Sequence, residues 1–204
     1  TVHRLPPTNM KLEFRNIHKH FGLVHANDDV SFAVEAGSVH GLLGENGAGK
    51  STLVKVLTGF ISRDGGEILF DGKPVHIRTP ADGIHGGVGM LHQDPLDFPA
   101  LTVLENFCAM VGGKWWTVAD LKGLAAQFNF DLDPNEQAGN LTVGERQQLE
   151  ILRLLALGVR TLVLDEPTTG ISAHQKELLF NAMRTLAKQG KSVIFVSHKL
   201  EDVE

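Results

Sequence analysis

The stretch Gly44–Thr52, Gly-Glu-Asn-Gly-Ala-Gly-Lys-Ser-Thr, limits what this chain can fold into more than any other. It fits the pattern Gly, any four residues, Gly-Lys-Ser/Thr, which describes a loop that wraps phosphates. Glycine tolerates backbone angles and close approaches that a side chain would block. With Gly44, Gly47 and Gly49 in place, the amides of Glu45, Asn46, Ala48 and their neighbours can turn inward as a nest for α- and β-phosphates. Lys50 is expected to reach the β- and γ-phosphates and the Ser51 hydroxyl to ligate a magnesium ion, with Thr52 closing the motif. Leu53, Val54, Val56 and Leu57 follow at helical spacing, so a helix over Lys50–Thr58 would aim its positive dipole end at the bound anion. Val39–Leu43 reads as a short buried strand. Strand, loop and helix then stand in the order this chemistry requires.

The remaining chain must supply a sheet and helices around that unit. Its 204 residues suffice for one substantial core with a small subdomain. A formal charge of -5 argues against a broad nucleic-acid-binding face, so no nucleic-acid partner is expected. One cysteine, Cys108, cannot form an internal disulfide, which suits a reducing compartment. No apolar run approaches the roughly 18 residues that span a bilayer, and no secretory signal opens the chain. The expectation is a soluble, cytosolic protein, with Thr1 in place of an initiator Met reading as an excised segment.

In chain order, Leu12, Phe14 and Asn16 alternate on one side of a first strand that ends at Phe21-Gly22. Val30–Val34 reads as a second strand. After the first helix, Arg63-Asp64-Gly65-Gly66 signals a turn before a strand over Glu67–Phe70 and a short hairpin through Val75 and Ile77. Val88–Leu91 reads as a brief buried strand. Leu101–Met110 and Val118–Phe128 carry helical spacing, making about 95–140 a helical insert whose connector holds Trp115 and Trp116. Thr142-Val143-Gly144-Glu145 has the form of a capping box before a long amphipathic helix. Thr161–Leu164 and Val193–Val196 are continuous apolar runs, as in strands buried on both faces, with a helix over Ala173–Gln189 between them. Alternating strands and helices predict a largely parallel sheet covered by helices, an α/β fold.

Two acidic residues end the first of those buried strands. Asp165 is placed to hold the magnesium ion opposite Ser51, and Glu166 to polarise the water that attacks the γ-phosphate.

With these pieces in order, nearly the whole chain resembles the nucleotide-binding subunit of ATP-binding cassette (ABC) transporters. Phe21, in Lys19-His20-Phe21-Gly22, matches an aromatic that stacks on adenine. Gln93 matches the glutamine that touches the magnesium site, and His198 the switch histidine that contacts the γ-phosphate. Leu141–Glu145 matches the signature, usually Leu-Ser-Gly-Gly-Gln. Thr142, Val143, Gly144 and Glu145 are thereby implied to face the γ-phosphate held by a second nucleotide-binding domain in a head-to-tail dimer. The resemblance implies a P-loop NTPase core over 1–94 and 141–204, with an N-terminal antiparallel β subdomain and a helical subdomain over 95–140. It implies ATP and Mg2+ as ligands, and Glu166, His198, Gln93 and Lys50 as the catalytic set. Transmembrane permease subunits and, indirectly, a solute-binding protein are the implied partners. The implied location is the cytoplasmic face of the cell membrane.

Three departures qualify the resemblance. Val143 replaces a signature glycine, which would weaken the trans contact if a positive φ were needed there. Glu145 replaces the signature glutamine, and Ser172 replaces an aspartate that couples the two sites. The chain also ends at Glu204, where the family continues. The Val-Gly-Glu-Arg-Gln run resembles importers of simple sugars and nucleosides, in which a second cassette often follows on the same chain, so an N-terminal cassette fragment is expected. A weakly hydrolysing half-site and a soluble cassette acting on ribosomes or DNA are the competing readings. Ten histidines include His18, His20 and His25, but no spacing matches a zinc site.

Overall fold

A computed structural model describes residues 9–92, 96–112 and 116–199. The N-terminal part runs β1 (Leu12–Phe21), β2 (Val24–Val34), β3 (Val39–Leu43), α1 (Lys50–Leu57), β4 (Gly65–Phe70) and β5 (Lys73–Val75). It continues with α2 (Pro80–Gly86), β6 (Val88–Leu91), α3 (Val103–Val111), α4 (Val118–Ala126) and α5 (Val143–Ala156). Strand β7 (Thr161–Asp165), helix α6 (Ala173–Lys188) and strand β8 (Ser192–Ser197) complete it.

The strands form two four-stranded sheets. One is antiparallel, in the order β2-β1-β4-β5; the other is parallel, in the order β3-β8-β7-β6. Strands β7 and β8 are buried throughout. Their side chains alternate between two cores, as a period of two demands of strands covered on both faces. Val163, Ile194 and Val196 join Leu12, Phe14, Val54 and Ile68 beneath the antiparallel sheet. Leu162, Leu164, Val193 and Phe195 join Phe107, Leu121, Leu152 and Met183 under the helices. Helices α3 and α4 thus share a core with α5 and α6. Trp116 packs edge-on to Phe107, its ring centroid 4.9 Å away, while Trp115 lies outside the described residues.

Three local expectations change. Strand β1 does not carry Asn16 on the core side: the register slips between Phe14 and Ile17, and Ile17 is buried instead. Asn16 sits at φ 49, a left-handed conformation that asparagine tolerates. It donates to Asp29 Oδ1 at 2.6 Å. Gly66 answers the bulge, because a Cβ there would lie 2.2 Å from the Asn16 carbonyl oxygen. Strand β3 is not buried but half-exposed, since among the described residues it lies at the sheet edge and pairs with β8 alone. Helix α2 was not anticipated, although Thr79-Pro80-Ala81-Asp82 combines a cap, a first-turn proline and a reciprocal acid.

Lys191 is fully buried before β8, where its ammonium donates to the Val159 carbonyl. Burial, and then the Arg160 charge, lower its pKa to about 8. Among the described residues no helix is long and apolar enough to cross a membrane.

Candidate functional site

The phosphate loop links β3 to α1 directly. Gly44, Gly47 and Gly49 all have positive φ, at 156, 85 and 82°. Gly49 is the tightest position: a Cβ would lie 2.0 Å from the Ala26 carbonyl oxygen. Asn27, on the same strand as Ala26, donates from Nδ2 to the Gly49 carbonyl at 3.1 Å. Asn27 is buried, and its Oδ1 has no hydrogen-bond partner among the described residues. Strand β2 therefore shapes the loop from behind, a role that no local pattern around Asn27 announced. The hairpin preceding Ala26 carries Phe21, half-exposed with Lys19 Nζ 5.3 Å from its ring centroid.

At the front of the loop, Lys50 Nζ donates to the carbonyls of Gly44 at 2.7 Å and Glu45 at 2.9 Å. Ser51 Oγ donates to Asp165 Oδ1 at 3.0 Å, so residues far apart in sequence meet where β7 ends beside α1. Asp165 is buried, and burial pushes its carboxyl above the usual range despite the Ser51 hydrogen bond and the charges of Lys55 and Lys50. A hydroxyl beside a buried carboxylate is an all-oxygen donor set, the chemistry a hard divalent cation requires.

Glu166 follows in a left-handed conformation, φ 52. A glutamate pays about 1 kcal/mol or more for that region. The turn is held by Glu166 N donating to the Val196 carbonyl at 3.0 Å. It brings Glu166 Oε2 to 2.8 Å from His198 Nδ1, just past β8. Ser51, Asp165, Glu166 and His198 thus meet at the C-terminal ends of parallel strands. Gln93 lies outside the described residues.

The segment Thr142–Glu145 stands apart from that cluster. Thr142 caps α5, and both its backbone N and its Oγ1 donate to Glu145 Oε2 at 2.7 Å. Val143 occupies the first helical position without a positive φ. The expected conflict at Val143 therefore disappears, because a helical first turn suits any L-residue. Ser172 caps α6 by accepting from Gln175 N at 3.2 Å. His18 pairs with Asp28 at 3.0 Å, and His20 packs edge-on against His25.

A cavity of about 280 Å³ opens between the end of α1, α2, β6 and α5. Phe60, Leu96 and Met110 are among its lining and are each more than a third exposed. Arg153 holds its rim, donating to the Leu96 carbonyl at 2.7 Å and to Glu150 at 2.8 Å.

These arrangements have close counterparts. The chain is 39% identical over 203 residues to the arabinose import ATP-binding protein AraG of Ralstonia nicotianae, an alignment covering 94% of this chain and 39% of that protein. It is 39% identical over 203 residues to the ribose import ATP-binding protein RbsA of Geobacillus kaustophilus, covering 94% and 41%. The chain spans about two-fifths of the length of these curated relatives. Among solved structures, a nucleotide-free ATP-binding cassette from an ABC transporter superposes with a TM-score of 0.84 at 28% identity, over 95% of this chain and 83% of that one. An ATP-binding cassette in its ADP conformation gives 0.81 at 29% identity, over 95% and 83%. The sequence profile described as ABC transporter matches residues 27–169. With its phosphate loop, strand-end carboxylates and two-sheet architecture, this chain belongs to the ABC transporter family.

Proposed function

We propose that this chain is the ATP-binding and ATP-hydrolysing cassette of an importer, for which the named relatives favour a sugar over a nucleoside-type solute. The observation that carries the hydrolytic part is the pairing of Ser51 with Asp165 and of Glu166 with His198 at the C-terminal ends of the parallel strands.

Adenine stacks on the exposed Phe21 ring, and the Glu45–Thr52 amides take the phosphates. Lys50 exchanges its bonds to the Gly44 and Glu45 carbonyls for β- and γ-phosphate oxygens. Ser51, Asp165 and Gln93 would hold Mg2+, which would supply charge neutralisation for the phosphates. Glu166 accepts the proton of the attacking water, and its paired His198 orients it and donates toward the γ-phosphate. Catalysis here is positioning and electrostatic stabilisation, with little covalent work for the protein.

Residues 1–94 and 141–204 act as the ATP-binding core, and 95–140 as the helical subdomain. Thr142–Glu145 face the nucleotide of a second cassette, on the longer chain that the relatives' length suggests. Transmembrane permease subunits are the partners this cassette drives. The cassette works on the cytoplasmic face, and a solute-binding protein delivers the cargo outside.

The test is Glu166→Gln in the full-length protein with its permease. ATP should still bind while turnover falls by about 100-fold or more, the scale of losing a general base. Unchanged hydrolysis would reject the role of Glu166. A second reading, a half-site that closes on ATP and hydrolyses poorly, is favoured by the negative charge of Glu145 in the signature. It predicts wild-type turnover near the level of Glu166→Gln.

A further inference from the structure

The start of α5 is closed by more than its own cap. Thr142 Oγ1 donates to Glu145 Oε2 at 2.7 Å and accepts from Gln175 Nε2 at 2.7 Å. Gln175 belongs to α6, and its Oε1 accepts from Ser172 N at 3.1 Å, so the side chain is held at both ends. Gly144 makes room for it, because a Cβ there would lie 2.5 Å from Gln175 Cδ. Further along α5, Gln147 Nε2 donates to the Pro167 carbonyl at 2.9 Å. Two amide side chains therefore join the beginning of α5 to both ends of the segment Pro167–Ser172, which starts beside Glu166.

We infer that Gln175 is a positioning residue that fixes the Thr142 hydroxyl and ties the signature to the Glu166 loop of the same chain. The inference rests on the proposed function, in which Thr142 serves the phosphate on a second cassette while Glu166 serves the nucleotide on its own. The Gln175 bridge then joins two ATP sites through one chain, at the place where Ser172 stands instead of an aspartate.

Donor arithmetic gives the bridge a direction. A threonine hydroxyl has one proton, and here Glu145 takes it; Gln175 can reach that oxygen only as a donor. An incoming phosphate oxygen takes the proton by displacing Glu145, while Gln175 keeps the hydroxyl in place. A carboxylate at 175 reverses this: two carboxylates would then compete for one proton and repel each other. Removing the charge at 145 as well leaves a single carboxylate and a workable set of partners.

The experiment uses the full-length protein with its permease and compares Gln175→Leu, Gln175→Glu and the double exchange Glu145→Gln/Gln175→Glu. Without nucleotide, amide hydrogen exchange at Thr142 and Glu145 should rise about fivefold in Gln175→Leu, the equivalent of one ordinary hydrogen bond. Gln175→Glu should raise the ATP KM by about five- to tenfold with a smaller change in kcat, and the double exchange should restore it. Unchanged exchange at the start of α5 would overturn the bridge. Faster exchange with an unmoved KM, or a Gln175→Glu defect that the double exchange leaves in place, would reduce Gln175 to a packing role and overturn its positioning role. Normal turnover in Glu166→Gln would instead reject the role of Glu166, and the exchange measurement would still report on the bridge.

Discussion

Helices α1 and α5 both begin at glycine-bearing segments suited to anions, yet they close their N-termini in opposite ways. Helix α1 starts at Gly49 with no side-chain cap and no acidic residue in its first turn. Helix α5 starts at Thr142 with Glu145 in a reciprocal capping box, and α2, α3, α4 and α6 follow the same pattern. A missing cap costs a helix about 1 kcal/mol, so leaving α1 open needs a compensating partner. Phosphate provides one through the free amides and the helix dipole. At α5 the chain already supplies an anion, Glu145, on the donors of Thr142. The same end of the same kind of element is thus presented open in one case and internally occupied in the other. In the proposed dimer the first binds on contact, and the second must exchange a partner.

Substitutions can break this contrast, beginning with the largest expected effect. Gly49→Ala places a Cβ 2.0 Å from the Ala26 oxygen at a φ of 82. It should abolish nucleotide binding and lower unfolding stability by about 3 kcal/mol, read by calorimetric titration and denaturant midpoint. Full affinity in that variant would mean that α1 does not present the site.

Thr142→Val removes the cap that α5 has and α1 lacks. Stability should fall by about 1 kcal/mol, as for other lost threonine caps. No loss in a urea titration would show that the Thr142 hydroxyl contributes nothing to the closure of α5.

The smallest effect carries a pH signature. Burial raises the Asp165 carboxyl pKa, so the folded chain binds that proton more tightly than the unfolded one. Stability must then fall as pH rises through the unfolded value and then the folded one, and at neutral pH the ionised Asp165 is a cost. Asp165→Asn should stabilise the apo chain by about 1 kcal/mol or less at pH 7 and remove that part of the acid dependence. The same variant should lose magnesium-dependent nucleotide affinity. A destabilised Asp165→Asn would mean that the Ser51 hydrogen bond outweighs desolvation.

Much of this was readable in one dimension because its determinants are local. Capping boxes at Thr142 and Ser172 need only neighbours three residues away. The glycines of the loop declare their backbone angles by residue type, and the apolar runs before Asp165 and after Lys191 declare strands covered on both faces. What escaped depended on partners distant in sequence. The slip at Asn16 answers Gly66 and Asp29, the exposure of β3 follows from its place at the sheet edge, and Asn27 matters only because Gly49 lies against it. Residue type alone sets Val143 against a signature glycine, whereas the helical backbone at that position removes the conflict.

The sequence by itself therefore determined the phosphate loop, the order of strands and helices and the identity of the strand-end carboxylates, because periodicity, glycine freedom and capping act over a few residues. Only the tertiary structure decided that Ser51 meets Asp165, that Glu166 turns to His198 and that Gln175 reaches Thr142. Those contacts are set by how sheet and helices pack, and nothing in the composition of either partner specifies the other.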